Sequence, residues 1–273
     1  MIDLHLHSRA SDGSLSPTEL MQLCASRSVQ LLALTDHDCL DGLAEARSAA
    51  LAAGMRFVNG VEISVSWEHK TLHVVGLNFD AGNAALKAGL AHLQTVRRGR
   101  AQAIGRRLET RGIPDAYAGA QQLAGNDNVT RTHFAQWLSE NGHAATPQKA
   151  FQRLLARGKP GYVTTDWASL EESIGWIRAA GGQAVLAHPL RYGMTRNWLI
   201  KALTAFKQAG GDGIEVICGG GNRDESASAA HFAERFKLAA SVGSDFHNPS
   251  TPWNQPGITT PLPEKLTPVW QCF

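Results

Sequence analysis

The sequence predicts an α/β protein with a mostly parallel sheet covered by helices and one helical interruption. Three observations point there. Seven short apolar β-like runs recur along the chain, with helix-like segments between them. Several of those segments open on a capping residue. From about residue 97 to 160 the alternation stops, and the chain reads as helix and loop without a convincing strand.

The runs are MIDLHL at the N-terminus, VQLLALT (29–35), MRFVNGVEIS (55–64), TLHVVGLNF (71–79), GQAVLAH (182–188), GIEVIC (213–218) and AASVGSD (239–245). The first alternates, with Ile2, Leu4 and Leu6 facing one way and Asp3, His5 and His7 the other. SPTELMQLCASRS follows, with a capping Ser16, Pro17 at the first helical position and Glu19 three residues after the cap. GLAEARSAALAAG ends on Gly54, a fitting helix terminator. SLEESIGWIRAAGG and FAERFKLA are shorter cases. Within the interruption, RRGRAQAIGRRLETRGI is arginine-rich, THFAQWLSENGH reads as a short helix, and TPQKAFQRLLARGKPG starts with a cap and an N1 proline. We read it as a small helical insertion lying over the main domain. The pattern of the remainder fits a barrel or an open sheet equally.

Composition sets outer bounds. A chain of 273 residues, 43% hydrophobic and 18% charged, can bury a substantial core. A net charge of +2 is too small for a nucleic-acid coat, yet compatible with a basic pocket for an anion. No apolar run is long enough to cross a membrane, and the N-terminus lacks a signal-peptide pattern, so a cytoplasmic location is expected. Cys24, Cys39, Cys218 and Cys272 follow no CxxC or zinc-finger spacing and read as reduced thiols. No segment announces an oligomer interface.

Side chains able to bind metal are not scattered. ALTDHD puts Asp36 and His37 at the end of the second run, and GVEIS puts Glu62 near the end of the third. LHVVG places His73 in the fourth, VLAHP puts His188 at the end of the fifth, and VGSDFH puts Asp245 and His247 at the end of the last. In parallel α/β folds the strand ends gather at one face, where ligands bind. With His5, His7 and Asp12 the set has nine candidate ligands: six histidines, two aspartates and one glutamate. That exceeds one ion's needs and suits two or three ions sharing a carboxylate. Nitrogen and oxygen donors without thiolate favour manganese, zinc or iron(II) over calcium. Three carboxylates bring −3 against +6 for three divalent ions, so the centre would stay positive and hold an oxyanion. A two-ion centre with a hydroxide would be about neutral and would need arginine or lysine help. Phosphate-ester hydrolysis is the reaction class that uses all these features.

These stretches (DLHLHSRASDG, LLALTDHD, NGVEIS, LHVVG, AHP and VGSDFH, spanning residues 3 to 247) resemble the PHP (polymerase and histidinol phosphatase) family. The resemblance implies a distorted (β/α)7 barrel over residues 1–96 and 161–273, with residues 97–160 as an insertion covering the active site. It implies one ion held by His5, His7, Glu62 and Asp245, a second by Glu62, His73 and His188, and a third by Asp12, His37 and His247. Manganese is the expected metal, with zinc or iron(II) as alternatives. No ligand position is missing, which favours an active enzyme over a metal-stabilised nucleic-acid-binding module. Within the family, NVTRTHFAQWL and GKPGYV are similar to the branch of 3′,5′-nucleotide bisphosphate phosphatases, some of which act as 5′→3′ exoribonucleases on short RNA.

The resemblance therefore implies removal of the 3′-phosphate from nucleoside 3′,5′-bisphosphates by a hydroxide bridging the ions, with no protein general acid named. Short 5′-phosphorylated RNA and histidinol phosphate are the rival substrates. Arg131, His133, Lys159 and Arg191 are the expected substrate contacts. Asp36 is expected to orient a ligand histidine, and Asp38 to cap the next segment or touch a ligand. Arg97, Arg98, Arg100, Arg106 and Arg107 are read as the solvated face of a helix, not an RNA track. Trp137 and Trp167 are read as core.

Overall fold

The computed structural model describes residues 1–273. Seven strands form one sheet in chain order: β1 (Ile2–Asp3), β2 (Leu31–Leu34), β3 (Arg56–Trp67), β4 (Lys70–Leu77), β5 (Gln183–Leu186), β6 (Gly213–Cys218) and β7 (Ala239–Gly243). The sheet nearly closes on itself. Leu4 N–H donates to the Val242 carbonyl at 3.0 Å, and Leu6 bridges Phe246 in parallel, which joins the β1 and β7 edges. The barrel alternative is the one adopted. Regular pairing in the first run stops at Asp3, short of the six-residue strand that alternation suggests.

The parallel order expected from apolar runs is broken in the middle. β1–β2–β3 and β5–β6–β7 pair in parallel, but β4 is antiparallel to both β3 and β5. The cause is local. Only Glu68 and His69 separate β3 from β4, both with positive φ (46° and 61°), the backbone of a two-residue hairpin. Two residues leave no room for a crossover helix, so β4 must run back. The first half of β4 consequently lies at the mouth where the other strands end, which brings His73 there from mid-strand.

Helices pack outside. In α1 (Pro17–Ser26) Ser16 and Glu19 form the expected reciprocal cap. α2 (Leu43–Ala52) ends beside Gly54 in the left-handed region at φ 74°. α3 (Ala84–Glu109) is one unbroken helix that begins in the barrel layer. There follow α4 (Ala116–Ala124), α5 (Arg131–Glu140), α6 (Pro147–Ala150) and a π-helical turn at Phe151–Leu155. α7 (Leu170–Ala179), α8 (Arg196–Gln208) and α9 (Arg223–Phe236) then complete the outer layer.

Buried apolar side chains separate into distinct clusters. One of 45 residues lies mostly between sheet and helices, and one of nine, including Leu4, Val75, Val185 and Val269, fills the barrel end away from the histidines. A third, of 14 residues from Ala101 to Leu155, belongs to the inserted helices. α3 serves two of them: Leu86, Leu90 and Leu93 pack in the barrel layer, and Ala101, Ile104 and Leu108 in the insertion. Residue 97 therefore falls inside a helix and not in a linker. No helix is long and apolar enough to cross a membrane.

Candidate metal centre

The strand mouth collects all nine donors. His5 and His7 follow β1, Asp12 lies in the next turn, His37 follows β2, and Glu62 and His73 sit on β3 and β4. His188 follows β5, and Asp245 and His247 follow β7. Two of these positions hold unfavourable backbone. His188 (φ 26°) and Asp245 (φ 54°) are non-glycine residues at positive φ, conformations that persist where surroundings enforce them. Glu215 Oε2 accepts from the His188 N–H at 2.5 Å, and the His5 carbonyl accepts from the Asp245 N–H at 2.8 Å.

Donor atoms converge in three overlapping groups: His5, His7 and Asp245; His7, Asp12, His37 and His247; and His37, Glu62 and His73. His5 Nε2 and His7 Nε2 are 3.1 Å apart; each is 3.3 Å from Glu62 Oε2, and they lie 3.6 and 3.4 Å from Asp245 Oδ1. These spacings are near the about 3.4 Å expected between donors around an ion at about 2.1 Å in tetrahedral array, and His5, His7 and Asp245 converge mutually. Glu62 Oε1 lies 2.8 Å from His73 Nδ1 and 3.1 Å from His188 Nε2. Asp12 Oδ1 lies 3.3 Å from His247 Nε2 and 3.8 Å from His37 Nε2. His37 also presents Nδ1 to Glu62 Oε2 at 3.0 Å, so it stands between the last two groups.

A cation suits this set better than hydrogen bonding does. Asp12 Oδ1, Glu62 Oε2 and His37 Nδ1 are buried without a hydrogen-bond partner although nitrogen or oxygen surrounds them. Orphaned buried polar atoms are costly, and charges that converge without donating to one another need a positive ion between them. Protonation follows the same crowding. Burial opposes charge on His5 and His7, yet Glu215, Glu62 and Asp245 hold His5 well above its ordinary value. His7 is pushed up to about 10, burial being outweighed by Asp245 and Glu62. Burial likewise opposes ionisation of Asp12, Glu62 and Asp245, but the surrounding imidazoles keep all three carboxyls well below the usual range. At His37 burial wins and lowers the value to about 4. Cations entering the cluster would displace protons from His5 and His7.

The supporting layer contains residues that the sequence reading passed over. Glu215 Oε1 accepts from His5 Nδ1 at 2.6 Å, leaving Nε2 free to face the cluster. β6 carries a bulge between Glu215 and Ile217, which breaks the alternation where Glu215 must reach inward. A glutamate in the middle of the apolar run GIEVIC was the available signal. Thr132 donates to Asp12 Oδ2 at 2.9 Å, so the insertion itself braces a candidate ligand. Tyr192 accepts from the His73 N–H at 2.9 Å, and Asn128 donates to the His37 carbonyl at 2.9 Å. Asp36 touches no ligand histidine directly. It accepts from Ser8 N–H (2.7 Å), Ser8 Oγ (2.6 Å) and Ser11 Oγ (2.6 Å), and Ser11 in turn faces His7 Nδ1 at 3.4 Å. Asp38 anchors Ser64 and Arg97, resolving its two sequence readings toward neither a cap nor a ligand contact.

The expected substrate contacts divide. Arg131 lines the central cavity of about 200 Å³, its guanidinium 4.8 Å above the Phe151 ring. His133 does not line it. Its Nδ1 accepts from the Thr130 N–H at 3.1 Å, closing the N-terminus of α5 as the fourth residue of a Thr-x-x-His cap. Lys159 is exposed in a turn outside the cavity lining. Arg191 pairs with Asp245 Oδ2 at 2.9 Å and donates to the Gly219 carbonyl, so it braces a candidate ligand and does not face the cavity.

The solvated-arginine reading holds for Arg98, Arg106 and Arg107 and fails for Arg97 and Arg100. Arg97 is 4% exposed and paired with Asp38. It takes the apolar-stripe position in Leu86, Leu90, Leu93, Arg97, Ala101, Ile104 and Leu108, a spacing visible in the sequence. Arg100 and Arg97 both stack on Trp167, at 5.3 and 5.0 Å, which makes Trp167 part of the cavity wall. Trp137 stays packed, against Gly119 and His143. Arg100 Nε is buried without a partner, and burial together with Arg131 and Arg97 pushes its pKa well down. With Asp38 neutralising only Arg97, the wall keeps two uncompensated guanidinium groups. An anion between them would relieve that crowding.

Comparison with known proteins agrees with this geometry. Residues 3–102 match the PHP domain family. The chain is 47% identical over 271 residues to a 3′,5′-nucleoside bisphosphate phosphatase of Chromobacterium violaceum, covering 99% of this chain and 95% of that one. It is 45% identical to a 5′-3′ exoribonuclease of Haemophilus influenzae, with 99% and 98% coverage. Among solved structures it is similar to an amidohydrolase from C. violaceum with bound sulfate, at a TM-score of 0.95, 47% identity, and 99% and 94% coverage.

Proposed function

The chain belongs to the PHP domain family, and from that premise we propose that it is a metal-dependent phosphomonoesterase removing the 3′-phosphate of nucleoside 3′,5′-bisphosphates. The observation that carries this reading is the pairing of two anion sites in one cavity. A dense donor cluster occupies one wall and two uncompensated guanidinium groups, Arg100 and Arg131, the other. A substrate with two phosphates on one ribose has matching charge at both ends.

His5, His7, Glu62 and Asp245 would hold one ion, Glu62, His73 and His188 a second, and Asp12, His37 and His247 a third. Ions bound there supply Lewis-acid polarisation of a phosphoryl oxygen and an activated water. Manganese suits the thiolate-free donor set. The chain's own residues orient the substrate: Arg131 and Arg100 fix the 5′-phosphate, and Trp167 and Phe151 hold those guanidinium groups in place. Glu215, Arg191 and Thr132 keep the donors aimed. Four free thiols, two of them buried, fit a reducing cytoplasm, where we place the enzyme.

A second reading, 5′→3′ cleavage of short 5′-phosphorylated RNA, has support in the exoribonuclease relative. Both reactions break the same P–O3′ bond. They differ only in whether a further phosphate oxygen carries hydrogen or the next nucleotide.

The test is phosphate release from adenosine 3′,5′-bisphosphate with manganese, identifying the nucleotide formed. AMP retaining its 5′-phosphate is expected, with turnover abolished by chelator and by His73→Ala. Consumption of histidinol phosphate or RNA with the bisphosphate untouched would overturn the assignment.

A further inference from the structure

Beside the central cavity a second hollow of about 630 Å³ runs along α5 and the π-helical turn and reaches Asn248. Thr132 and Phe151 line both spaces, so they are immediate neighbours. We propose that this hollow receives the nucleotide downstream of the scissile phosphate when the substrate is a short single-stranded RNA. The proposal rests on the exoribonuclease reading above and gives that activity its own subsite.

Three features argue for it. The first is position. The hollow adjoins the side of the donor cluster formed by Asp12 and His247, since Thr132 bonds Asp12 and Asn248 follows His247. Arg100, Trp167 and Ser64 line the central cavity and not the hollow. A phosphodiester seated on the donors with its 5′-terminal nucleotide toward Arg100 and Trp167 would have the hollow on the side of its remainder.

The second is chemistry. Glu140 is the only charged residue in the lining, and it is engaged by Gln136 Nε2 at 2.9 Å. Gln148 and Gln152, one helical turn apart and both exposed, present amides that can donate to and accept from any base edge. An amide-lined space with one carboxylate and no cation suits a ribose and base whose phosphate stays behind. It does not suit a run of phosphates.

The third is size. The central cavity of about 200 Å³ is smaller than the usual range for small-molecule sites, roughly 300–1,000 Å³, whereas the hollow lies within it. A substrate larger than a mononucleotide must extend beyond the first space.

The reaction keeps its atoms. The oxygen of water joins phosphorus, the P–O3′ bond breaks, and the released 3′-oxygen of the first nucleotide takes a proton. The shortened strand keeps the phosphate as its new 5′ end and is a substrate again. With Glu140 in the lining and no cation to offset it, one downstream nucleotide should supply nearly all the benefit, so a 5′-phosphorylated dinucleotide and trinucleotide should react alike.

The experiment compares kcat/KM for adenosine 3′,5′-bisphosphate and for 5′-phosphorylated di- and trinucleotides. It uses the wild type, the Gln148→Ala/Gln152→Ala double variant, and Gln152→Trp, which fills the hollow from an exposed position. The expected result is a fall of about tenfold in the dinucleotide-to-bisphosphate ratio for both variants. An unmoved ratio would overturn the proposal. Equal loss on both substrates would also overturn it and place the leaving nucleoside in the hollow. Wild-type failure on the bisphosphate alone would sink the phosphatase reading separately, and the variants would still have to slow the dinucleotide.

Discussion

Glu215→Gln is the sharpest probe of how the donor cluster is set. Glu215 has two acceptor oxygens, one bonded to His5 Nδ1 at 2.6 Å and the other to the His188 N–H at 2.5 Å. A glutamine keeps the shape but has one acceptor. If its oxygen stays on the His188 N–H, its amide N–H₂ faces His5 Nδ1 and forces that atom to accept. The single proton of a neutral imidazole then sits on Nε2, the atom that lies 3.1 to 3.6 Å from three other donors, whereas in the wild type it can stay on Nδ1 once a metal takes Nε2. Metal binding to the variant must therefore give up the Nδ1 contact. Losing one hydrogen bond of charged character costs about 1.5–3 kcal/mol, or roughly 10- to 100-fold in metal affinity, the range seen when partners of ligating histidines are removed. Chelator competition and the thermal shift on adding manganese measure this directly. The variant should fold without metal about as well as the wild type and bind manganese at least tenfold more weakly. Manganese binding unchanged within about twofold, in a folded Glu215→Gln protein, would refute the tautomer argument.

Three further outcomes are expected. Arg100→Met should raise KM for the bisphosphate about 10- to 100-fold while changing KM for a 3′-monophosphate little, because only the former places a phosphate on that wall; equal effects on both would assign Arg100 to structure. His133→Ala should destabilise the protein by about 1 kcal/mol in urea unfolding, whereas His133→Gln should retain the cap. Burial lowers the His133 pKa below its ordinary 6.5, so the unfolded chain binds its proton first as pH falls. The stability from His133 is therefore full above about pH 6.5 and lost as pH drops through the lowered folded value, a dependence that His133→Gln should remove. Gly89→Ala would put a Cβ 2.4 Å from the Trp176 ring and should cost about 1–3 kcal/mol, read as a lower denaturant midpoint at unchanged slope.

The donor positions were legible because metal chemistry restricts residue types and strand ends restrict place. HxH, TDHD and GSDFH declare themselves without knowledge of the fold. Residues that support the donors obey looser rules. Glu215 is one acid in an apolar strand, and only the bulge in β6 shows why it is tolerated. Arg97 sat on the apolar stripe of its own helix, but a charge there reads as solvated until Asp38 is seen opposite it. His133 illustrates the reverse error. The resemblance made it a substrate contact alongside Arg131, while the Thr130-x-x-His133 spacing, visible in the sequence, describes a cap. The reversal of β4 follows from two turn residues, Glu68 and His69, neither of which is a strong turn former by type.

The unbroken course of α3 also bears on how the inserted helices are held to the barrel. A lid needs a hinge, and the usual place for one is the connection between body and cover. Here the first of the two connections is the interior of a 26-residue helix, pinned at mid-length by the Arg97–Asp38 pair to the loop after β2. Swinging the cover would break backbone hydrogen bonds and a buried ion pair at once. At that connection the inserted helices are accordingly an extension of the barrel's own helical layer, a wall of the mouth and not a flap hung from a loop.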